Sequence, residues 1–143
     1  MRTRELIRQE REVPDMQAAD LPGYRKKSFL LYYNGGEIWF EHLEGLYGLG
    51  GAVIEKLNSD IPLFTRPSST SFVCFVFFET EITEKIVLAV LKAVLESGKR
   101  FVKIAFCGLD RKAQRQFRKA LADQGIGIAF FDGLEDAKVW LLP

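Results

Sequence analysis

Apolar positions change their period along this chain, and the clearest change lies in residues 71–108. SFVCFVFF is apolar at nearly every position, as a strand buried on both faces requires. ETEITEKIVLAVLKAVLESG follows at helical spacing. On a helical wheel Ile82, Ile86, Val87, Val90, Leu91, Val94 and Leu95 cover an arc of about 220°, with Leu88 at its edge. KRFVKIAFCG then reads as a second strand. Thr80 is expected to cap the helix, helped by Glu79, Glu81 and Glu84 at its positive end, and Gly98 to stop it. One sheet covers a narrower stripe than this helix carries. The surplus predicts a further cover: the N-terminal arm, another helix or a second subunit, of which a homodimer is preferred.

Upstream, SFLLYY and GEIWFE flank Asn34-Gly35, the pair that best tolerates a type I′ turn, so residues 28–41 read as a β-hairpin. Trp39 is expected in the core, its indole N–H bonded. Leu46, Leu49, Val53 and Leu57 recur at helical spacing, but Gly45, Gly48, Gly50 and Gly51 each weaken a helix by roughly 1 kcal/mol. The expected helix is therefore firm only over residues 50–58. DIPLFTRPSST, residues 60–70, reads as a loop with two prolines.

Downstream, Asp110 should cap a helix over residues 111–123, with Ala113, Phe117, Ala120 and Leu121 inward. IGIAFF is a last strand. Asp132 and Glu135 have capping-box spacing before a final helix with Leu134, Ala137, Trp140 and Leu141 buried. Residues 1–27, mixed in charge and punctuated by Pro14 and Pro22, read as an arm: a short helix, then irregular chain. Residues 28–143 form one α/β domain. Its expected architecture is a single-layer mixed β-sheet, an N-terminal hairpin plus three parallel-type strands, flanked by about four helices.

At 143 residues and 48% hydrophobic the chain suits one core. A formal net charge of +1 carries no overall bias toward nucleic acid or acidic membranes. The charged N-terminus lacks the apolar core of a signal peptide, and no apolar run approaches a membrane span. A cytoplasmic protein without integral membrane contact is expected. Cys74 and Cys107 fall in predicted strands, where buried reduced thiols are favoured over a disulfide or a redox role.

Candidate chemistry is sparse. GLYGLGG, with Gly48, Gly50 and Gly51, is either a loop where backbone approaches a ligand or a site of close packing. Its spacing is not GxGxxG, and no lysine-serine pair follows. Gly108, Leu109 and Asp110 after the second parallel strand are the matching ligand-loop candidates, since strand ends face ligand crevices in α/β sheets. Arg111, Lys112, Arg115, Arg118 and Lys119 make one helix strongly basic. They suit a small anion, a lipid headgroup or an acidic partner, or else a solvated face. His42, beside Glu41 and Glu44, is expected at the surface or the sheet edge. Cys107, or Glu79 with Asp110, would carry an enzymatic reading, but no nucleophile has a visible base and no spacing suggests a metal or cofactor. A non-enzymatic chain is expected.

Residues 101–142 carry a resemblance. A strand ends in Gly108 before a polar turn and a basic helix. Another ends in Phe131-Asp132. The last helix reads Asp136-Ala137-Lys138-Val139-Trp140-Leu141. This resembles a bacterial group of STAS-like domains related to the sporulation anti-anti-sigma factors and grouped with the Sec14-like lipid carriers. The resemblance implies a regulatory or protein-interaction module; the alternative is a small-molecule or lipid carrier that holds an anionic headgroup. In the anti-anti-sigma proteins a serine after the central strand is phosphorylated. Here that turn reads Phe78-Glu79-Thr80-Glu81-Ile82-Thr83, so Thr80 and Thr83 are the hydroxyls in its place.

Overall fold

The computed structural model describes residues 21–143. Strands β1 (Phe29–Tyr33) and β2 (Gly36–His42) pair antiparallel in the register Phe29↔Phe40 through Tyr33↔Gly36. Asn34 and Gly35 take φ of 51° and 84°, the left-handed pair that a two-residue turn between twisted strands demands. Helix α1 (Pro22–Arg25) precedes them. Then α2 (Gly50–Phe64), β3 (Phe72–Val76), α3 (Glu84–Leu95), β4 (Lys103–Cys107), α4 (Arg111–Ala120), β5 (Gly127–Phe131) and α5 (Leu134–Leu141) alternate.

The sheet order is β1-β2-β3-β4-β5, with β2 through β5 mutually parallel. This is the expected mixed sheet of a hairpin plus three parallel strands. Each parallel connection steps one place in the same direction. Right-handed crossovers then put their helices on one face. Accordingly one apolar cluster joins Val53 and Leu57 of α2, Ile86 and Val90 of α3, and Phe117 of α4 to Phe75 and Phe106 of the sheet. The opposite face is covered by α5, whose Ala137 and Leu141 pack on Ile38, Phe40, Val76 and Ala105. β3 itself, FVCFV, is apolar throughout because it is buried on both sides.

Several boundaries differ from expectation. α2 runs through Pro62 to Phe64, so the expected loop begins only at Thr65. The missing proline N–H would have bonded the carbonyl of Asn58, a residue on the exposed side of the helix. α3 starts at Glu84, and Thr83 rather than Thr80 is its N-cap, its Oγ1 accepting from Ile86 N at 3.3 Å. Asp110 caps α4 as expected, its Oδ1 accepting from Ala113 N at 2.8 Å, but the helix ends at Ala120. The expected Asp132–Glu135 capping box does not form. Gly133 occupies the N-cap, and Glu135 pairs with Lys138 at 2.8 Å.

The helix expected in the arm lies outside the described residues. Of the arm's remainder, Leu21 is buried in the larger cluster. Gly23 lies so close to residues 44 and 45 that a Cβ there would stand 2.1 Å from the Glu44 carbonyl oxygen. Among the described residues no helix is long and apolar enough to cross a membrane.

Candidate functional site

Because β2 to β5 run parallel, their carboxyl ends share one edge of the sheet, and the predicted loops gather there. Ligand crevices in open α/β sheets form where neighbouring crossovers diverge. Here all step the same way, so this edge has no such point. It is closed instead by residues 43–47, which extend β2 beside residues 76–81. Leu43 N donates to Val76 O, Gly45 N to Phe78 O, Tyr47 N to Glu79 O, and Glu81 N to Tyr47 O, at 2.7 to 2.9 Å.

Thr80 clamps this closure. Its Oγ1 donates to Leu43 O at 2.6 Å and accepts from Leu46 N at 3.1 Å. A phosphate on that oxygen would remove the first bond, and the half-buried side chain is poorly placed for a kinase. Thr83 is exposed. Gly108 packs on the same turn from the next strand, at φ 84°, with Phe78 N only 2.8 Å from where a Cβ would be. Leu109 is buried in the core, and Asp110 is engaged as a cap. On the other side a Cβ at Gly48 would meet Glu81 Oε1 at 3.3 Å, while Gly50 and Gly51 have open space around them. The glycine loop and the Gly108 loop thus flank one turn, residues 78–81.

The basic helix is more exposed. Arg118 stacks its guanidinium over the Phe130 ring at 4.8 Å. Arg111, Lys112, Arg115 and Lys119 are exposed and make no ion pair among the described residues. Open grooves of about 570 Å³ at the hairpin tip and about 450 Å³ between α2 and α3 involve neither this helix nor the glycine loop. Among the described residues no group of three His, Cys, Asp or Glu side chains could hold a metal ion.

A polar island near the end of β2 was not expected. Glu41 is 0% exposed, with Trp39 Nε1 donating to its Oε1 at 2.9 Å. Burial, and then a hydrogen bond with Asp60 of α2, push its carboxyl up to about 9, although the Trp39 bond pulls it down. His42 is not at the surface: it is 1% exposed, its ring stacked on Phe29 at 5.2 Å and on Phe40 at 6.1 Å. The open strand edge is covered because β1 lays Phe29 over it. His42 Nδ1 bonds Glu44, whose other oxygen meets Lys26 Nζ at 3.1 Å. Burial raises the Glu44 carboxyl, but its bonds with His42 and Lys26 outweigh that and leave it below the ordinary value. Lys56 donates to the His42 carbonyl, and burial holds its ammonium below the usual range. Strand parity carried a signal for Glu41, since Trp39, Glu41 and Leu43 alternate onto one face between apolar neighbours.

The cysteines meet on the opposite face. Cys74 and Cys107 are fully buried, with sulfurs 3.6 Å apart, and Cys107 Sγ lies 3.8 Å from Gly133 O beneath α5. Either thiol can donate in the contact between the two sulfurs. Both are free thiols. Burial under α5 denies Cys107 the accessibility a nucleophile needs.

The most exposed apolar feature of the helical layer is on α3. Ile86, Val87, Val90 and Val94 of the predicted arc are buried, but Leu88 is 60% and Leu95 41% exposed, with Leu91 half-buried between them. Compared with family models, with curated proteins and with solved structures, the chain has no match.

Proposed function

We propose that this chain is a non-enzymatic, STAS-like regulatory module that works by protein contact, pairing with a second copy of itself through α3. The exposed Leu88-Leu91-Leu95 stripe carries this reading. Steps of three and four residues form the seam along which helices pack. Its rim is mixed in sign, with Glu84 and Lys85 at one end and Lys92 and Glu96 at the other. An antiparallel copy of the same helix then meets opposite charges at each end, which suits self-pairing better than a partner of one sign.

Sedimentation velocity over a concentration series tests it. The expected species is a dimer. Leu88→Glu with Leu95→Glu should raise the dissociation constant by roughly a thousandfold or more, since four apolar side chains at about 1.5 kcal/mol each leave the interface. Near-UV circular dichroism should stay unchanged, because neither side chain belongs to the core. A wild-type chain that sediments as a monomer up to its solubility limit would remove the proposal.

The carrier reading rests on a separate observation, the exposed cations of α4 without ion pairs among the described residues. If it holds, full-length protein co-sediments with anionic vesicles. Changing Arg111, Lys112 and Arg115 to glutamine then weakens binding by about a hundredfold, at roughly 1 kcal/mol per cation. Equal binding of wild type and triple variant, or none by either, would dismiss it.

A further inference from the structure

We propose that Glu41 and Asp60 hold one proton between them at neutral pH, and that this shared proton is a latch fastening α2 to the sheet. Glu41 leaves β2 toward the helical layer, is fully buried, and has Oε1 occupied by the Trp39 indole. Its Oε2 has no donor, and neither has Asp60 Oδ2, also shut off from water on α2. Two ionised carboxylates so placed would repel each other without solvation, whereas one proton between them satisfies both orphaned oxygens. Glu41 is the member that carries it, because it is the more completely buried.

The surroundings leave this arrangement intact. On α2 the charged neighbours are Lys56 and Asp60 itself. From β2 come Trp39 and His42, beyond it Glu44, and from the chain before β1 Lys26. Lys56 is the cation that acts on Glu41, but it is committed to the His42 carbonyl, and its field does not offset the effect of burial. Glu44 and Lys26 neutralise one another at 3.1 Å. The opposite side of α2 lines the groove shared with α3, through Ile54, Asn58 and Ile61. Loss of the proton leaves two adjoining anions under the helix and drives α2 outward along that groove.

The pH dependence has a definite sign. The Glu41 pKa rises from 4.5 to about 9 on folding, so the native state keeps a proton that the unfolded chain releases. The stabilisation is complete below pH 4.5 and declines as pH rises toward 9. The test is carbon NMR of the full-length chain carrying ¹³C-labelled glutamate, followed through a pH titration. One side-chain carboxyl should titrate near 9, and it should vanish in Glu41→Gln. Asp60→Asn should lower its midpoint. The glutamine in Glu41→Gln can still accept from Trp39 and donate to Asp60, so that variant should fold and lose the decline in melting temperature between pH 4.5 and 9. The inference fails if no wild-type glutamate titrates near 9, or if Asp60→Asn leaves the midpoint in place. It also fails if Glu41→Gln keeps the wild-type pH slope.

Discussion

Phe106→Ala is expected to cost about 4 kcal/mol, a large share of the ~5–15 kcal/mol that holds an ordinary domain together. Phe106 has no exposed surface and stands at the centre of an aromatic stack. Its ring centroid is 4.5 Å from that of Phe117 on α4, and 5.5 Å from those of Phe75 on β3 and Phe130 on β5. Truncation removes the stacking along with the apolar area, and sheet and helix cannot both close on the void. Urea denaturation should show a lower midpoint with an unchanged slope. Phe106→Leu, which keeps most of the volume, should recover more than half of the loss. A cost below about 1 kcal/mol for the alanine variant would mean that α4 does not dock through this stack.

Gly108→Ala is expected to cost about 3 kcal/mol, from two additive sources. At φ 84° any side chain pays roughly 1–2 kcal/mol for left-handed backbone. A Cβ would also stand 2.8 Å from Phe78 N and 3.0 Å from Phe78 Cα. Ring atoms can rotate away, but the backbone of the 77–81 turn is held by Phe77 N bonding Cys107 O at 2.9 Å and by the Thr80 clamp. Gly125→Ala separates the two sources. Gly125 has φ 75° and open space, so it should lose only about 1 kcal/mol. Equal losses at both glycines in thermal denaturation would show that the close approach of the two strand ends carries no energy.

The consequence for function lies at the carboxyl edge. The turn between β3 and α3 is gripped by Thr80 on one side and by Gly108 on the other, so it is built as structure rather than as an open site. From the sequence Thr80 reads as a helix cap or a phospho-acceptor, because its real partners, Leu43 and Leu46, are 37 and 34 residues away. His42 looked like an edge residue because its own strand ends there. Its burial comes from Phe29 across the hairpin.

Local physics alone determined a good deal of this protein. Asn34-Gly35 turns the hairpin because few other pairs tolerate its positive φ angles. β3 is read as doubly buried because each of its residues is apolar, and Asp110 caps α4 because a carboxylate is best bonded at a helix start. Those signals lie within a few residues of what they specify, and they also set the α/β alternation. The tertiary structure decided what depends on distant neighbours. It placed three helices on one face and α5 on the other, sealed the dithiol beneath α5, and left Leu88 and Leu95 uncovered. It also set Glu41 against Asp60. A side chain's period states which face it takes, but whether that face meets water, carbon or another acid depends on the element packed there.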